Sequence, residues 1–482
     1  MGHNVPGLAA AIKRVIEAAI EAEMSDFNYY GNCRDGFEGY SRPTEELPVS
    51  DPIRISYPDG KVFLYGNIEV DHVQANFVGQ YTDATQLYEK WDEEIRQNFE
   101  RFEDAPQPVT FDFPVQRLGE LATALDAGGA YLDGEGSSSS SGHGNLDLAV
   151  LLSEIMTEIG PRQGAAMEAL RRSYLGRLGN VIAGQQVLVA GLGVVVEGER
   201  QVWVDNTEDL LDIADKAEAA FRRYASGGGG DTSLIKTGFA VISGLATIAS
   251  GFIAGPGVLV VAGLSATLSA AIPDVEQPPE LEFEASSVSG VHGNLLLALS
   301  AHCRAVSETE RAYADCADTL VARAVANPDY YDLTAPGTSV PFVDGGPGEE
   351  YFGPGETIDV HGPELLEAAG LVEVVARTLD LVSGDLPALN GWPWERYFLV
   401  GYGRRGHHTE TTHLREQATS VLSRTATTLH EVAQKMVLVA NDFSRSDDDV
   451  RTDLDVLVRA VDDPTPGQDV AYGYDEVVVE AS

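Results

Sequence analysis

Apolar residues recur at helical spacing along most of this chain, and the pattern predicts a mainly α fold, an elongated bundle of long antiparallel helices. Leu8, Ile12, Val15, Ile16, Ala19 and Ile20 share one stripe, and a Gly/Tyr/Asn-rich loop follows through Tyr40. Ile53 to Tyr57 and Val62 to Tyr65 flank Pro58-Asp59-Gly60, which predicts one small β-hairpin because Pro and Gly supply the turn between two β-prone runs. Leu87, Trp91, Ile95 and Phe99 predict a helix over 82–102, with shorter helices over 115–131 and 146–159.

A much longer pattern spans about 164–224, where Tyr174, Leu178, Val181, Leu188, Leu192, Val195, Val202, Leu210, Ile213, Ala217, Ala220 and Tyr224 recur at threes, fours and sevens. Gly184, Gly191, Gly193 and Gly198 make breaks in it an open alternative. Residues 289–326 predict another helix, with Leu296, Leu299, Cys303, Val306, Tyr313 and Leu320 inward. Ala368, Val372, Val375, Leu379, Val382 and Leu386 keep a strict heptad, and Leu414, Val421, Leu422, Leu429, Val432, Met436 and Phe443 mark a last helix over 411–447. These two form an antiparallel hairpin with a connector of about 25 residues.

One run differs from all the others: no Asp, Glu, Lys, Arg or His occurs from Thr237 to Pro273. Gly255-Pro256-Gly257 divides it into two arms, and Gly227 to Gly230 precedes it as a hinge. Each arm is just under the ~20 residues needed to cross a bilayer. Gly238, Gly244, Gly251, Gly255, Pro256, Gly257 and Gly263 therefore stand as the candidate hairpin or membrane-insertion residues, in arms whose small residues favour close helix packing. The expectation is a hairpin packed away in the soluble protein, with membrane entry conditional.

Low-complexity stretches set the expected boundaries. An N-terminal region (1–133) precedes a Gly/Ser linker (134–144) and a long-helix bundle carrying the hairpin (145–326). A Gly/Pro-rich linker (327–362), a C-terminal helical hairpin (363–461) and an acidic tail (462–482) complete the chain.

Composition then narrows the function. Seventy-five acids against 32 Lys and Arg give a formal charge of -43, which opposes broad binding to nucleic-acid phosphates. Three scattered cysteines supply neither a disulfide framework nor a thiolate metal site. The start of the chain lacks the charged and apolar layout of a secretory signal, so the expectation is synthesis in the cytoplasm and, if the protein leaves, a leaderless route.

Candidate chemistry is sparse. Gly191-Leu-Gly193 begins a dinucleotide fingerprint but lacks its third glycine. His407, His408 and His413 with Glu410 and Glu416 could in principle hold a metal. His408 and His413 are five apart and out of register on a helix, and a solvated loop cluster is the favoured reading. No catalytic, cofactor or metal site is assigned. Trp392, Trp394, Tyr397 and Phe398, in the connector of the last hairpin, are docking candidates because aromatics dominate binding hot spots, against the plainer reading that they pack over the hairpin's end.

The paired helices with a Trp-bearing connector, and the run from Leu422 and Leu429 through Val432-Ala433 to Val439-Ala-Asn-Asp-Phe443-Ser-Arg-Ser-Asp447, resemble the WXG100/ESX superfamily of actinobacterial secretion-associated proteins. The resemblance is best over 363–450, and 165–225 with 289–326 give a weaker echo. In that family an aromatic and an acid four apart follow the second helix and help direct leaderless export through a type VII secretion system. Carried over, Phe443 and Asp447 stand at those positions, with Phe for Tyr. The chain departs from the family in having no literal Trp-x-Gly and a longer connector, and Tyr88-x3-Asp92 and Tyr472-x3-Glu476 match the export pattern elsewhere. The resemblance implies a non-enzymatic exported effector or assembly partner that binds helical proteins, WXG100-type ones among them, or itself. From another class comes an α-helical pore-forming toxin or translocation module inserting 237–273. The third reading is a soluble interaction protein whose uncharged hairpin is ordinary core.

Overall fold

The computed structural model describes residues 5–31, 39–42, 53–64, 68–70, 84–127, 146–159, 175–227, 236–237, 281–283, 286–334, 362–389 and 395–462, with side chains to 441 in the last stretch. The fold is mainly helical with a small antiparallel sheet, as the periodicity predicts. Among the described residues there are eight α-helices: α1 (Leu8–Asp26), α2 (Ala84–Glu100), α3 (Asp112–Ala124), α4 (Leu146–Ile159), α5 (Gly176–Ala225), α6 (Val288–Ala326), α7 (Gly362–Asp385) and α8 (His408–Asp462).

Helix α5 organises the rest. Its 50 residues span about 75 Å, and α1, α3, α6 and α8 all pack on it. Its pairings give the directions. Asn206 meets His302 and Gly198 meets Tyr313, so α6 runs antiparallel to it. Gln185 meets Thr425 and Glu199 meets His407, so α8 is antiparallel as well. Helix α1 runs parallel to α5, tied by Arg14 to Glu218 at 2.8 Å, Arg222 to Glu21 at 3.1 Å and Tyr224 to Asp26 at 2.7 Å. Helices α7 and α8 pack together as the expected antiparallel hairpin, which rests on α4, α5 and α6. One cluster of buried residues joins Ile12, Trp91, Leu188, Leu299, Val375 and Leu422, so the N-terminal region, the long-helix bundle and the C-terminal hairpin share a core.

Between Leu178 and Val196 helix α5 is buried on nearly every side, the condition for a helix hydrophobic all round. Among the described helices it is the one long and apolar enough to cross a membrane, yet 94% of that window is covered by the fold. The four glycines do not interrupt it. At Gly184 and Gly198 they admit neighbours: the Tyr330 carbonyl and the Tyr313 ring occupy the space a methyl group would need. The helix stops where expected, at Gly227 with φ +67°, whose amide bonds the Tyr224 carbonyl at 3.0 Å. Helix α6 starts where the Ser287 side chain accepts from the Gly290 amide at 3.1 Å. Along it Leu295 is fully buried and Leu296 only partly so, a one-residue correction to the expected stripe.

The sheet is larger than the sequence pattern predicts. The expected hairpin is present as β3 (Ile53–Ser56) and β4 (Val62–Leu64), but β1 (Tyr30–Gly31), β2 (Gly39–Arg42) and β5 (Ile68–Val70) extend it to five antiparallel strands in sequence order. Part of the predicted Gly/Tyr/Asn loop is thus strand. Two to four residues carry too little alternation to register as a strand, and the pairing of Tyr40 with Ile55 supplies what local pattern lacks. The last helix continues to Asp462, fifteen residues past the expected end.

The uncharged run from Gly238 to Pro273, with all seven of its candidate residues, lies outside the described residues, as does the 134–144 linker. Its flanks are described: β6 (Lys236–Thr237) pairs antiparallel with β7 (Leu281–Glu282).

Two substitutions separate the roles of the glycines. Gly198→Ala forces a methyl into the Tyr313 ring and is expected to cost about 1–3 kcal/mol in urea unfolding. Gly370→Ala, at an α7 position with open space around it, is expected to stabilise by about 0.5–1 kcal/mol.

Candidate functional site

The apolar seam of α5 continues past Val195 through Glu199, Val202 and Asn206, and the seam of α6 runs Val306, Glu310, Tyr313. Both helices thus place an acid at an inward heptad position, and the antiparallel packing brings Glu199 and Glu310 together. Both are fully buried, and each raises the cost of ionising the other.

The connector between α7 and α8 answers these two acids. Arg396 is buried with its guanidinium between them: Nη1 donates to Glu199 Oε1 at 3.1 Å, Nη2 donates to Glu310 Oε1, and Nε donates to the Val400 carbonyl at 3.1 Å. The guanidinium also stacks on the Trp203 ring, 4.9 Å from its centroid, while Trp203 Nε1 donates to Glu199 Oε1 at 2.8 Å. The Tyr402 amide donates to Glu310 Oε2. Gly401 and Gly406, both at positive φ, bring the loop close enough that a Cβ at either would strike Glu310 or Arg396.

His407 completes a quartet. The Thr411 hydroxyl donates to the His407 carbonyl at 2.8 Å and so accepts from Nδ1 at 2.8 Å, which leaves Nε2 facing Glu199 Oε2 at 3.0 Å. This overturns the solvated-cluster reading for His407, which is fully buried. No group of three or more metal-ligating side chains occurs among the described residues.

The two acids have opposite electrostatics. Burial alone raises Glu199, but the His407 and Arg396 charges and the bonds from His407 and Trp203 outweigh it and hold the carboxyl down at about 2. Burial and the Glu199 charge push Glu310 well above the carboxylate range, and Arg396 and the Tyr402 amide offset only part of this.

Other polar ties lie along the same helices. His302 Nε2 donates to Asn206 Oδ1 at 2.8 Å, with Asp209 3.4 Å from Nδ1, and burial lifts nearby Asp205 to about 6. Gln185 Nε2 reaches the Tyr331 carbonyl at 2.9 Å and Thr425 Oγ1 at 2.7 Å, binding α5 to α8. At the surface His430 on α8 sits between Glu373 at 2.7 Å and Asp380 at 2.8 Å on α7, whose hydrogen bonds raise its pKa.

The sequence-derived candidates are dispersed. Tyr397 (42% exposed) and Phe398 (60%) stack on the outside of the connector with ring centroids 5.0 Å apart, so packing over the hairpin's end does not describe them. Trp392 and Trp394 lie outside the described residues. Phe443 and Asp447 fall within α8 rather than after it, and their side chains are likewise outside the described residues. Gly191 and Gly193 are buried inside α5, where no turn or helix start exists to hold a pyrophosphate. Glu199, Glu310 and Arg396 were not singled out by sequence; the available signal was an acid on each of two mainly apolar heptad seams.

No family model, curated protein or solved structure matches the chain.

Two outcomes follow from this geometry. Arg396→Met leaves two buried carboxylates facing each other and is expected to cost about 3–5 kcal/mol in urea unfolding. His430 has a raised pKa in the fold, so its contribution is full below the ordinary histidine value of about 6.5 and disappears as pH rises through the raised value. The stability gap between wild type and His430→Gln is therefore expected at pH 5 and closes toward alkaline pH.

Proposed function

We propose that this chain is a non-enzymatic helical protein associated with type VII, ESX-like secretion, an exported effector or an assembly partner that acts by docking. The observation that carries this reading is the α7–α8 hairpin, an antiparallel pair whose connector turns Tyr397 and Phe398 outward. Such exposed aromatics are the side chains that dominate protein-binding hot spots. The ionisable groups beneath them favour docking over catalysis, because Glu199, Glu310, Arg396 and His407 are all closed off from solvent and spend their bonds on each other. Helical partners of the WXG100 type, or a second copy of the chain, are the expected binders.

A second reading, an α-helical pore-forming or translocation module, rests on β6 and β7. Their pairing sets Thr237 beside Leu281, so the two ends of the uncharged run and its flanks start next to each other, as an insertable hairpin requires.

Expression in a host carrying an ESX-type system tests the first reading. Export into the medium should depend on the secretion ATPase and fall in Phe443→Ala and Asp447→Ala; equal export with the ATPase deleted would refute it. For the second, dye-loaded liposomes should leak with the parent protein but not with Ala254→Asp or Val260→Asp. Parent protein that leaves liposomes sealed at both neutral and acidic pH would count against insertion.

A further inference from the structure

The buried quartet has a charge imbalance with a mechanical consequence. Arg396 brings one permanent positive charge against two carboxylates, all more than nine-tenths buried. The cluster is neutral only if it holds one more proton, on Glu310 or at His407 Nε2. Which atom carries it is a property of the coupled set rather than of one residue.

Among the described residues, no Arg or Lys other than Arg396 pairs with either acid. On α5, Asp205 adds negative potential; on α6, Tyr313 and Cys316 are neutral groups whose ionisation burial suppresses. In the connector Arg405 is spent on Glu395 at 3.0 Å, and Arg311 of α6 lies over the Tyr402 ring. At the start of α8, the charges of Arg405, Arg415, His407 and Glu410 act on His408, and Arg415 donates to the Leu389 carbonyl at 3.4 Å. Leaving a net charge in such a site is strongly unfavourable.

We propose that the quartet is a one-proton latch: it holds the Glu395–His407 connector on α5 and α6 while the extra proton is bound and releases it as that proton leaves with rising pH. The connector enters the core through the side chains of Arg396 and His407, so the loss of neutrality acts where it is held. Once released and hydrated, both carboxylates ionise above about 4.3 and the imidazole is neutral above about 6.5. Closing therefore takes up one proton above that pH, and opening becomes up to about tenfold more favourable per pH unit. The raised Glu310 agrees in sign, since a carboxyl with a raised folded pKa loses its contribution as pH increases. The latch is independent of the secretion reading.

Hydrogen exchange of the full-length protein between pH 6 and 9, corrected for intrinsic rates, tests it. The reporter is the peptide containing Tyr402, whose amide is donated to Glu310. In wild type its opening should rise by up to about tenfold per pH unit while α5 and α6 stay protected. Glu310→Gln and Glu199→Gln each remove one negative charge, and with it the need for the proton, so each should flatten the profile. The two variants are separate tests should one fail to fold. A flat wild-type profile, simultaneous loss of protection in α5 and α6, or a folded variant with the wild-type slope overturns the proposal.

Discussion

Burying four ionisable side chains between two helices and a loop is tolerable only if their charges and hydrogen bonds close among themselves, and this constraint fixes much of the fold. Each bare charge moved from water into a protein interior costs several kcal/mol, so Glu199 and Glu310 can sit on the seams of α5 and α6 only where a cation reaches both. Neither helix supplies one. Arg396 arrives from the connector and His407 from the first residue before α8, which dictates where that connector runs and where the last helix begins. The left-handed glycines 401 and 406 follow from the same demand, since any side chain there would displace the groups being satisfied.

Apolar packing provides the bulk of the stability, and the polar groups set the register. A heptad seam alone allows α5 and α6 to slide by one repeat at modest cost, because Val, Leu and Ala positions look alike. Asn206 with His302, Gly198 under the Tyr313 ring, and the Arg396 guanidinium shared by Glu199 and Glu310 all agree on a single antiparallel alignment. Gln185 performs the same service between α5 and α8.

The legible part of this fold was the part written in local periodicity. Seven apolar positions of α8 and the single-face stripe of α2 gave those helices directly, and the boundaries of α4 coincide with the expected 146–159. The small strands β1, β2 and β5 were illegible because they are made by pairing rather than by their own sequence. The glycines of α5 were ambiguous for a related reason: a helix-breaking residue and a close-contact residue look the same until the neighbour is known. His407 was misjudged because its sequence neighbours are polar while its spatial neighbours are Glu199 and Tyr313. The buried charges were visible only as interruptions of a seam.

The central claim, that the charged pairs reaching from the connector into the core act as one interdependent unit, is tested most directly by a double-mutant cycle on Glu199→Gln and Arg396→Met. Urea unfolding of the wild type, both single variants and the double variant gives the interaction energy between the two positions. The account predicts a coupling of at least about 1.5 kcal/mol, in the range of close buried charge pairs. Effects that add to within about 0.5 kcal/mol would contradict it, and would mean that Glu199 and Arg396 are neighbours without being partners.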